Sequence, residues 1–139
     1  MGLFNFFKKN NTEYQGNEKQ IKADELNKKG VELLDIDNIQ AVACFQEAIR
    51  LGSVKAMRNL GICYFKGKGI DCDFEKAVYW YEEAAKNGNV NSMRDVASLY
   101  AVGGTNVPQN DEKARYWFQR AADAGDEKAE ERLRLFGLQ

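Results

Sequence analysis

Residues 56–88 have the sequence AMRNLGICYFKGKGIDCDFEKAVYWYEEAAKNG, in which two segments of helical periodicity flank a glycine-containing break. Small and apolar residues recur every three or four positions on both sides of the break, so each segment predicts a helix with one apolar stripe. Gly67 and Gly69 mark the break, and Gly88 suits the left-handed position that ends many helices. The stretch therefore predicts a helical hairpin.

The hairpin recurs along the chain. Tyr64 returns as Tyr100 after 36 residues, and Ala77 returns as Ala114 after 37 residues, so the loop of the second copy is one residue longer. A loop is where such an insertion disturbs packing least. A third copy, degenerate and with a shortened loop, precedes the other two. Recurrence at this period is the signature of stacked repeats.

The repeated pattern resembles the Sel1-like repeat (SLR), an α/α hairpin related to the tetratricopeptide repeat. The family pattern is A-x-x-x-L-G-x-x-Y-x-x-G-x-G-V-x-x-D-x-x-K-A-x-x-W-Y-x-x-A-A-x-x-G. The following residues match it: Ala56, Leu60, Gly61, Tyr64, Gly67, Gly69, Ile70, Asp73, Lys76, Ala77, Trp80, Tyr81, Ala84, Ala85 and Gly88. The second copy departs from it at Ser92, Val96 and Ala97 and in its loop. The resemblance implies an all-α, right-handed α-solenoid of about three helical hairpins with a C-terminal capping helix.

The repeat pattern divides the 139 residues into a tail and one solenoid. Terminal repeats have a neighbour on one side only and often lose consensus residues, which explains the degenerate first copy. The tail is expected to be flexible or to fold back on the first hairpin. The expected parts are the tail 1–17 and the solenoid 18–139, made of a capping hairpin 18–52, repeats 53–88 and 89–125, and a capping helix 126–136.

Composition excludes several classes of partner and cofactor. The formal net charge is −1, so no overall electrostatic field favours nucleic acid. Cys44, Cys63 and Cys72 are odd in number and lack CxxC spacing, and histidine is absent, so a zinc site would need cysteine and carboxylate ligands alone. We expect reduced thiols, no metal, no cofactor and a bacterial cytoplasmic protein.

No catalytic motif is present in the sequence. The absence of histidine removes histidine-dependent triads, and neither a GxxxxGK[ST] phosphate loop nor a GxSxG elbow occurs. Residues 67–69 read Gly-Lys-Gly, which in this register is the turn of the SLR hairpin rather than a phosphate cradle. Asp71 and Asp73 are interpreted as turn and cap residues. The protein is therefore expected not to be an enzyme.

The resemblance also implies where a partner would bind, because first helices line the concave face of tetratricopeptide-like stacks. Arg58 and Arg94 lie one repeat apart and could bind a peptide carboxylate by bidentate hydrogen bonds. The alternatives are an ordinary solvated helix face, or an ion pair from Arg58 to Asp95 that binds nothing. The expected concave-face residues are Asn27, Lys28, Arg58, Asn59, Ile62, Lys66, Arg94, Asp95 and Ser98.

The function predicted from the sequence is a protein–protein interaction module, an adaptor or scaffold that binds a peptide segment or a protein face. One alternative is a dedicated inhibitor or immunity-type protein that blocks a single enzyme. Another is a membrane-peripheral regulator docked through Leu3, Phe4, Phe6 and Phe7, because four large apolar residues so close together are costly to leave in water. Membrane contact is expected only through residues 1–9.

Overall fold

The computed structural model describes residues 2–137, and this part of the chain forms seven α-helices. The helices are α1 (Gly2–Leu33), α2 (Asn38–Arg50), α3 (Val54–Lys66), α4 (Phe74–Lys86), α5 (Val90–Val102), α6 (Asp111–Asp123) and α7 (Glu127–Gly137). Helices α1 and α2, α3 and α4, and α5 and α6 pack as three antiparallel hairpins, and α7 packs on α6. The all-α solenoid of about three hairpins with a final capping helix is confirmed.

Each helix after α1 begins next to a side chain that accepts a hydrogen bond from a backbone N–H of its first turn. Such caps satisfy donors that have no partner inside the helix. Ser53 caps α3 and Asp73 caps α4 by accepting from the residue three positions later. The full set of capping residues is Asp37, Ser53, Asp73, Asn89, Asn110 and Asp126.

The Gly-Lys-Gly turn of the second hairpin packs against the first hairpin. Gly69 has a φ of 70°, and a Cβ atom there would overlap the backbone carbonyl of Asn38. Lys68 places its Nζ 2.7 Å from Oδ1 of Asp35, in the turn of the preceding hairpin. The glycines therefore serve a left-handed turn and a close backbone approach between repeats.

Two clusters of buried apolar residues fill the stack, and aromatic rings occupy the space over small residues. Gly30 lies beneath the ring of Phe45, and Gly61 lies beneath the ring of Tyr81. The first cluster consists of Ala41, Val42, Phe45, Ala48, Ala56, Leu60 and Cys63. The larger cluster extends from Ala77 in α4 to Ala129 in α7. The half-buried Tyr64 packs against both clusters and so connects the first two hairpins to the rest of the stack.

Helix α1 differs from the sequence prediction because it begins at Gly2, whereas a tail was expected over residues 1–17. It is 32 residues long, residues 12–22 are all exposed, and the buried Ala23 follows this exposed segment. Once the packed end of a helix has formed, each further residue adds a hydrogen bond without a new nucleation cost, so the helix can propagate into solvent. The side chains of Leu3, Phe4, Phe6 and Phe7 lie outside the described part of the structure.

Candidate interaction face

Helices α1, α3, α5 and α7 share one side of the molecule, and we call the side chains there that point away from α2, α4 and α6 the first-helix face. The nine residues predicted for partner binding belong to α1, α3 and α5. Lys28, Lys66 and Ser98 are exposed, whereas the other six are half-buried. Ile62 also packs against the larger core cluster, so its role is partly structural.

Polar side chains of the first-helix face pair with one another between successive helices. Asn59 donates from Nδ2 to Oδ1 of Asn27 at 2.8 Å, which joins α3 to α1. Arg58 donates from Nε to Oδ2 of Asp95 at 2.7 Å, which joins α3 to α5. The structure thus contains the ion pair that was the alternative interpretation of Arg58.

Arg94 makes the equivalent connection from α5 to α7. Its Nη1 hydrogen-bonds the carboxylate of Asp126, the cap of α7, and its Nη2 donates to Oδ1 of Asn91 at 3.0 Å. Arg94 and Arg58 are therefore each held by a carboxylate of the next first helix. A peptide carboxylate at either arginine would have to compete with these internal partners.

Two open cavities lie on the first-helix face between these polar pairs and the ends of the helices. The first has a volume of about 460 Å³ and lies between α3 and α5, with Tyr81 of α4 as its floor. Its lining residues are Phe65, Phe74, Tyr81, Asp95, Ser98, Leu99, Val102 and Gly103. The second has a volume of about 280 Å³ and is lined by Ser98, Ala101, Val102, Phe118, Arg132, Leu135 and Phe136. Both linings are mainly apolar.

The two cavities are copies of each other, one repeat apart. Five lining positions of the first cavity recur in the second: the offset is 36 residues for Phe65 and 37 residues for the other four. The matched pairs are Phe65 and Ala101, Tyr81 and Phe118, Asp95 and Arg132, Ser98 and Leu135, and Leu99 and Phe136. Repetition of the fold has therefore repeated a concave apolar site.

The charges at the two cavities differ. Asp95, at the first cavity, is neutralised by Arg58, whereas Arg132 occupies the same register position at the second cavity and forms no ion pair within residues 2–137. Burial, followed by the nearby Asp95 carboxylate, raises the pKa of Tyr81 well above its ordinary value, so this floor stays uncharged. The first cavity therefore has an uncharged floor, and Arg132 places a cation without an ion-pair partner among residues 2–137 at the second cavity.

Among the residues that line the two cavities, only Asp95 and Ser98 are predicted from the sequence to bind a partner. The apolar lining residues are not. Val102 is 81% exposed and Leu135 is 52% exposed, and neither is among the residues predicted for partner binding. The offset of 37 residues that relates Leu99 to Phe136 is present in the sequence. Extending the repeat register into α7 would have identified the second cavity.

Other reactive groups in the described region do not form a site. All three cysteines are free thiols, and burial raises the pKa of the Cys63 thiol, which disfavours the reactive thiolate. Residues 2–137 contain no group of three or more cysteine, aspartate and glutamate side chains arranged to hold a metal ion. Over the same residues, no helix combines the length and the apolar character needed to cross a bilayer.

The fold and this face define a solenoid of short α/α hairpins. Three segments, residues 25–53, 54–89 and 90–126, match the Sel1 repeat, and the chain belongs to the Sel1 repeat family. Proteins of this family are typically protein–protein interaction modules. The family resemblance inferred from the sequence is thereby confirmed. Among curated proteins, no sequence matches the chain.

Solved structures of similar fold include two longer bacterial proteins. The Sel1 repeat protein from Oxalobacter formigenes is 30% identical with a TM-score of 0.74, over 82% of this chain and 49% of that one. The protein c5321, a protective antigen of uropathogenic Escherichia coli with an SLR fold, is 28% identical with a TM-score of 0.75, over 80% of this chain and 25% of that one. The match therefore spans a quarter to a half of their lengths.

A third solved structure shows likeness of fold alone. Helicobacter pylori cysteine rich protein B is 19% identical with a TM-score of 0.58, over 79% of this chain and 93% of that one. The present chain has only three cysteines, all free.

Proposed function

We propose that the protein is a non-catalytic adaptor that binds a peptide segment or a protein face through its first-helix face. The observation that supports this function is the pair of apolar cavities that open between successive first helices. Concave apolar sites with few polar groups are the usual form of ligand pockets. Val102, shared by both cavities and 81% exposed, stands where a bound partner would cover it.

Site-specific crosslinking in cells tests this function. A photoreactive benzoylphenylalanine at Val102 is expected to form a covalent adduct with a partner protein. The same group at Tyr79, which is 55% exposed on α4, serves as the control because it lies on a second helix. Adducts that form at Tyr79 and not at Val102 would overturn the proposed face.

The free thiols support a further part of the proposal. We propose that the protein acts in the cytoplasm, because a reducing compartment keeps thiols such as the exposed Cys72 unpaired. A dedicated inhibitor would use the same face with one partner only. Calorimetric titration against the partner found by crosslinking, with one-to-one stoichiometry and inhibition of its activity, would distinguish an inhibitor from an adaptor.

Helix α1 favours a second candidate, a membrane-peripheral regulator. Tyr14 and Ile21, which are 66% and 53% exposed, lie in the exposed segment 12–22 of α1, and four large apolar residues precede this segment in the sequence. A helix with aromatic residues and lysines can lie in a membrane interface. Co-sedimentation with anionic liposomes that is lost on deleting residues 1–9 would support this candidate.

A further inference from the structure

The two cavities are separated by one repeat, so they can accept two side chains of one ligand. Val102 and Ser98 of α5 line both cavities, and the aromatic residues Tyr81 and Phe118 form the two equivalent floors. The cavities flank α5, and a helix with its side chains is about 10–12 Å across, so the cavities are about 10 Å apart. A single short segment that crosses α5 would therefore contact both.

The spacing of the cavities indicates the conformation of that segment. In an extended polyproline II chain, residues i and i+3 point to the same side and lie about 9 Å apart. This distance fits two cavities about 10 Å apart. Two large apolar side chains, three residues apart, would place one side chain against Tyr81 and the other against Phe118.

The unpaired cation indicates the charge of the segment. Arg132 lies at the second cavity without an ion-pair partner among the described residues, whereas Asp95 at the first is held by Arg58 at 2.7 Å. Lys66, next to the first-cavity residue Phe65, is also exposed and without such a partner. A carboxylate placed beside the apolar side chain of the second cavity would accept hydrogen bonds from the Arg132 guanidinium.

We propose that the first-helix face binds an extended acidic peptide segment with two large apolar side chains three residues apart. One enters each cavity, and an aspartate or glutamate next to the second pairs with Arg132. This inference rests on the proposed function and specifies the ligand of the same face. The internal pairs of Arg58 and Arg94 remain intact in the complex, because the ligand binds beside them.

Selection from a phage library of random twelve-residue peptides on the immobilised full chain tests the ligand class. We expect the enriched sequences to share two large apolar residues three apart with an adjacent acid. Synthetic copies of these peptides should bind the wild-type protein in fluorescence anisotropy. No enrichment, enrichment of basic peptides, or apolar spacing of seven residues as in a bound helix would overturn the inference.

Substitutions at exposed positions locate the bound peptides. Val102→Asp should weaken binding at least about tenfold because it places a charge between the two apolar side chains. Ile36→Asp is the matched control, since Ile36 is also 81% exposed but lies in the turn between α1 and α2. Circular dichroism melts of both variants verify that the fold is retained.

A charge-reversal cycle tests the acidic position. Arg132→Glu should weaken an enriched peptide about tenfold, and the loss should vanish when its acidic residue is replaced by the neutral amide. Equal weakening of both peptides would overturn the role of Arg132. If peptides of another class are enriched and still lose binding to Val102→Asp, the proposed ligand class is wrong but the proposed binding face stands. If the enriched peptides bind the wild type and Val102→Asp equally, the proposed binding face is wrong as well.

Discussion

Arg58 and Asp95 form an ion pair across the boundary between two hairpins, with 2.7 Å between Nε and Oδ2. Their side chains are only 29% and 24% exposed, so solvent screens the pair less than a surface pair. The interaction joins α3 to α5. These two helices make few other direct contacts, because α5 packs mainly on α4 and α6. We conclude that Arg58 helps to fix the angle between repeats.

A double-mutant cycle should measure this coupling. Arg58→Ala and Asp95→Ala, singly and together, are expected to give a coupling free energy of about 1 kcal/mol in urea unfolding. The control cycle uses Arg50 and Glu47, a pair within α2 whose side chains are 78% and 44% exposed, and should give at most about 0.5 kcal/mol. Equal coupling in the two cycles would show that the pair between hairpins has no special role.

Ser92 is a buried side chain whose hydroxyl has no hydrogen-bond partner within the described residues. Alanine occupies the equivalent position in the preceding repeat, at Ala56. Ser92→Ala should therefore raise the free energy of unfolding by about 1 kcal/mol, because it removes an unsatisfied buried polar group. Ser53→Ala should have the opposite effect, a loss of about 1 kcal/mol, since the Ser53 hydroxyl caps α3 by accepting from Ala56 N at 3.2 Å. Thermal unfolding that shifted in the same direction for both variants would contradict this assignment.

Gly61 allows Tyr81 to lie close to the backbone of α3. A Cβ atom at Gly61 would be 2.8 Å from two carbons of the Tyr81 ring, which is only 4% exposed and has little room to move. Gly61→Ala should therefore destabilise the fold by about 1–3 kcal/mol despite the higher helix propensity of alanine. Gly16→Ala is the control, because nothing lies within 4 Å of a Cβ there, and it should not lower stability. The midpoints of urea unfolding would distinguish the two, and equal midpoints would show that the Tyr81 ring adjusts freely.

The hairpins could be predicted because their signal is local and repeated. The offset from Tyr64 to Tyr100 is unchanged over a whole helix, and each hairpin has its own caps and turns, so no long-range contact was needed to recognise the fold. The N-terminal part of α1 could not be predicted in the same way. Residues 12–22 are all exposed, and Gly16 and Asn17 have weak helix propensity, so neither apolar periodicity nor composition identifies this segment as a helix.

The interaction face could be predicted only in part. The register placed Arg58 and Asp95 on neighbouring first helices and so included their ion pair among the alternatives. The cavities depend instead on the way α5, α6 and α7 approach one another, and on the direction of exposed apolar side chains such as Val102. A charged capping helix is typical of a solvated end, so Leu135 was not considered for binding.

Trp117 and Trp80 occupy equivalent positions in successive repeats but differ in burial. Trp117 is only 5% exposed in the larger core cluster, whereas Trp80 is partly buried at the edge of the first cluster. Trp117→Ala should lower the free energy of unfolding by about 3–5 kcal/mol, enough to unfold much of a small domain at room temperature. Trp80→Ala should cost less, because part of its indole is already in contact with water. If Trp80 rather than Trp117 were the main packing residue, denaturant unfolding would give the lower free energy of unfolding for Trp80→Ala.

Alkaline pH should destabilise the protein through three protonated groups. Burial raises the pKa of Cys63 and Tyr81, and burial together with the hydrogen bond to Glu82 raises the pKa of Tyr100. A raised pKa in the folded state means that the folded chain keeps these protons where the unfolded chain loses them, so stability falls as pH rises. With no histidine to titrate, the free energy of unfolding should vary little between about pH 7 and 8.

Above the ordinary tyrosine pKa of 10.0, Tyr81 and Tyr100 should each remove about 1.4 kcal/mol per pH unit until the pH reaches their raised pKa, and Cys63 begins to contribute above its ordinary pKa of 9.0. Urea unfolding measured from pH 7 to 11 should therefore show a steep decline that begins near pH 9. Tyr81→Phe should reduce the slope above pH 10, since phenylalanine has no proton to lose, while the exposed Tyr14→Phe control should leave the slope unchanged. A decline of the same steepness in Tyr81→Phe as in the wild type would assign the alkaline sensitivity to other groups.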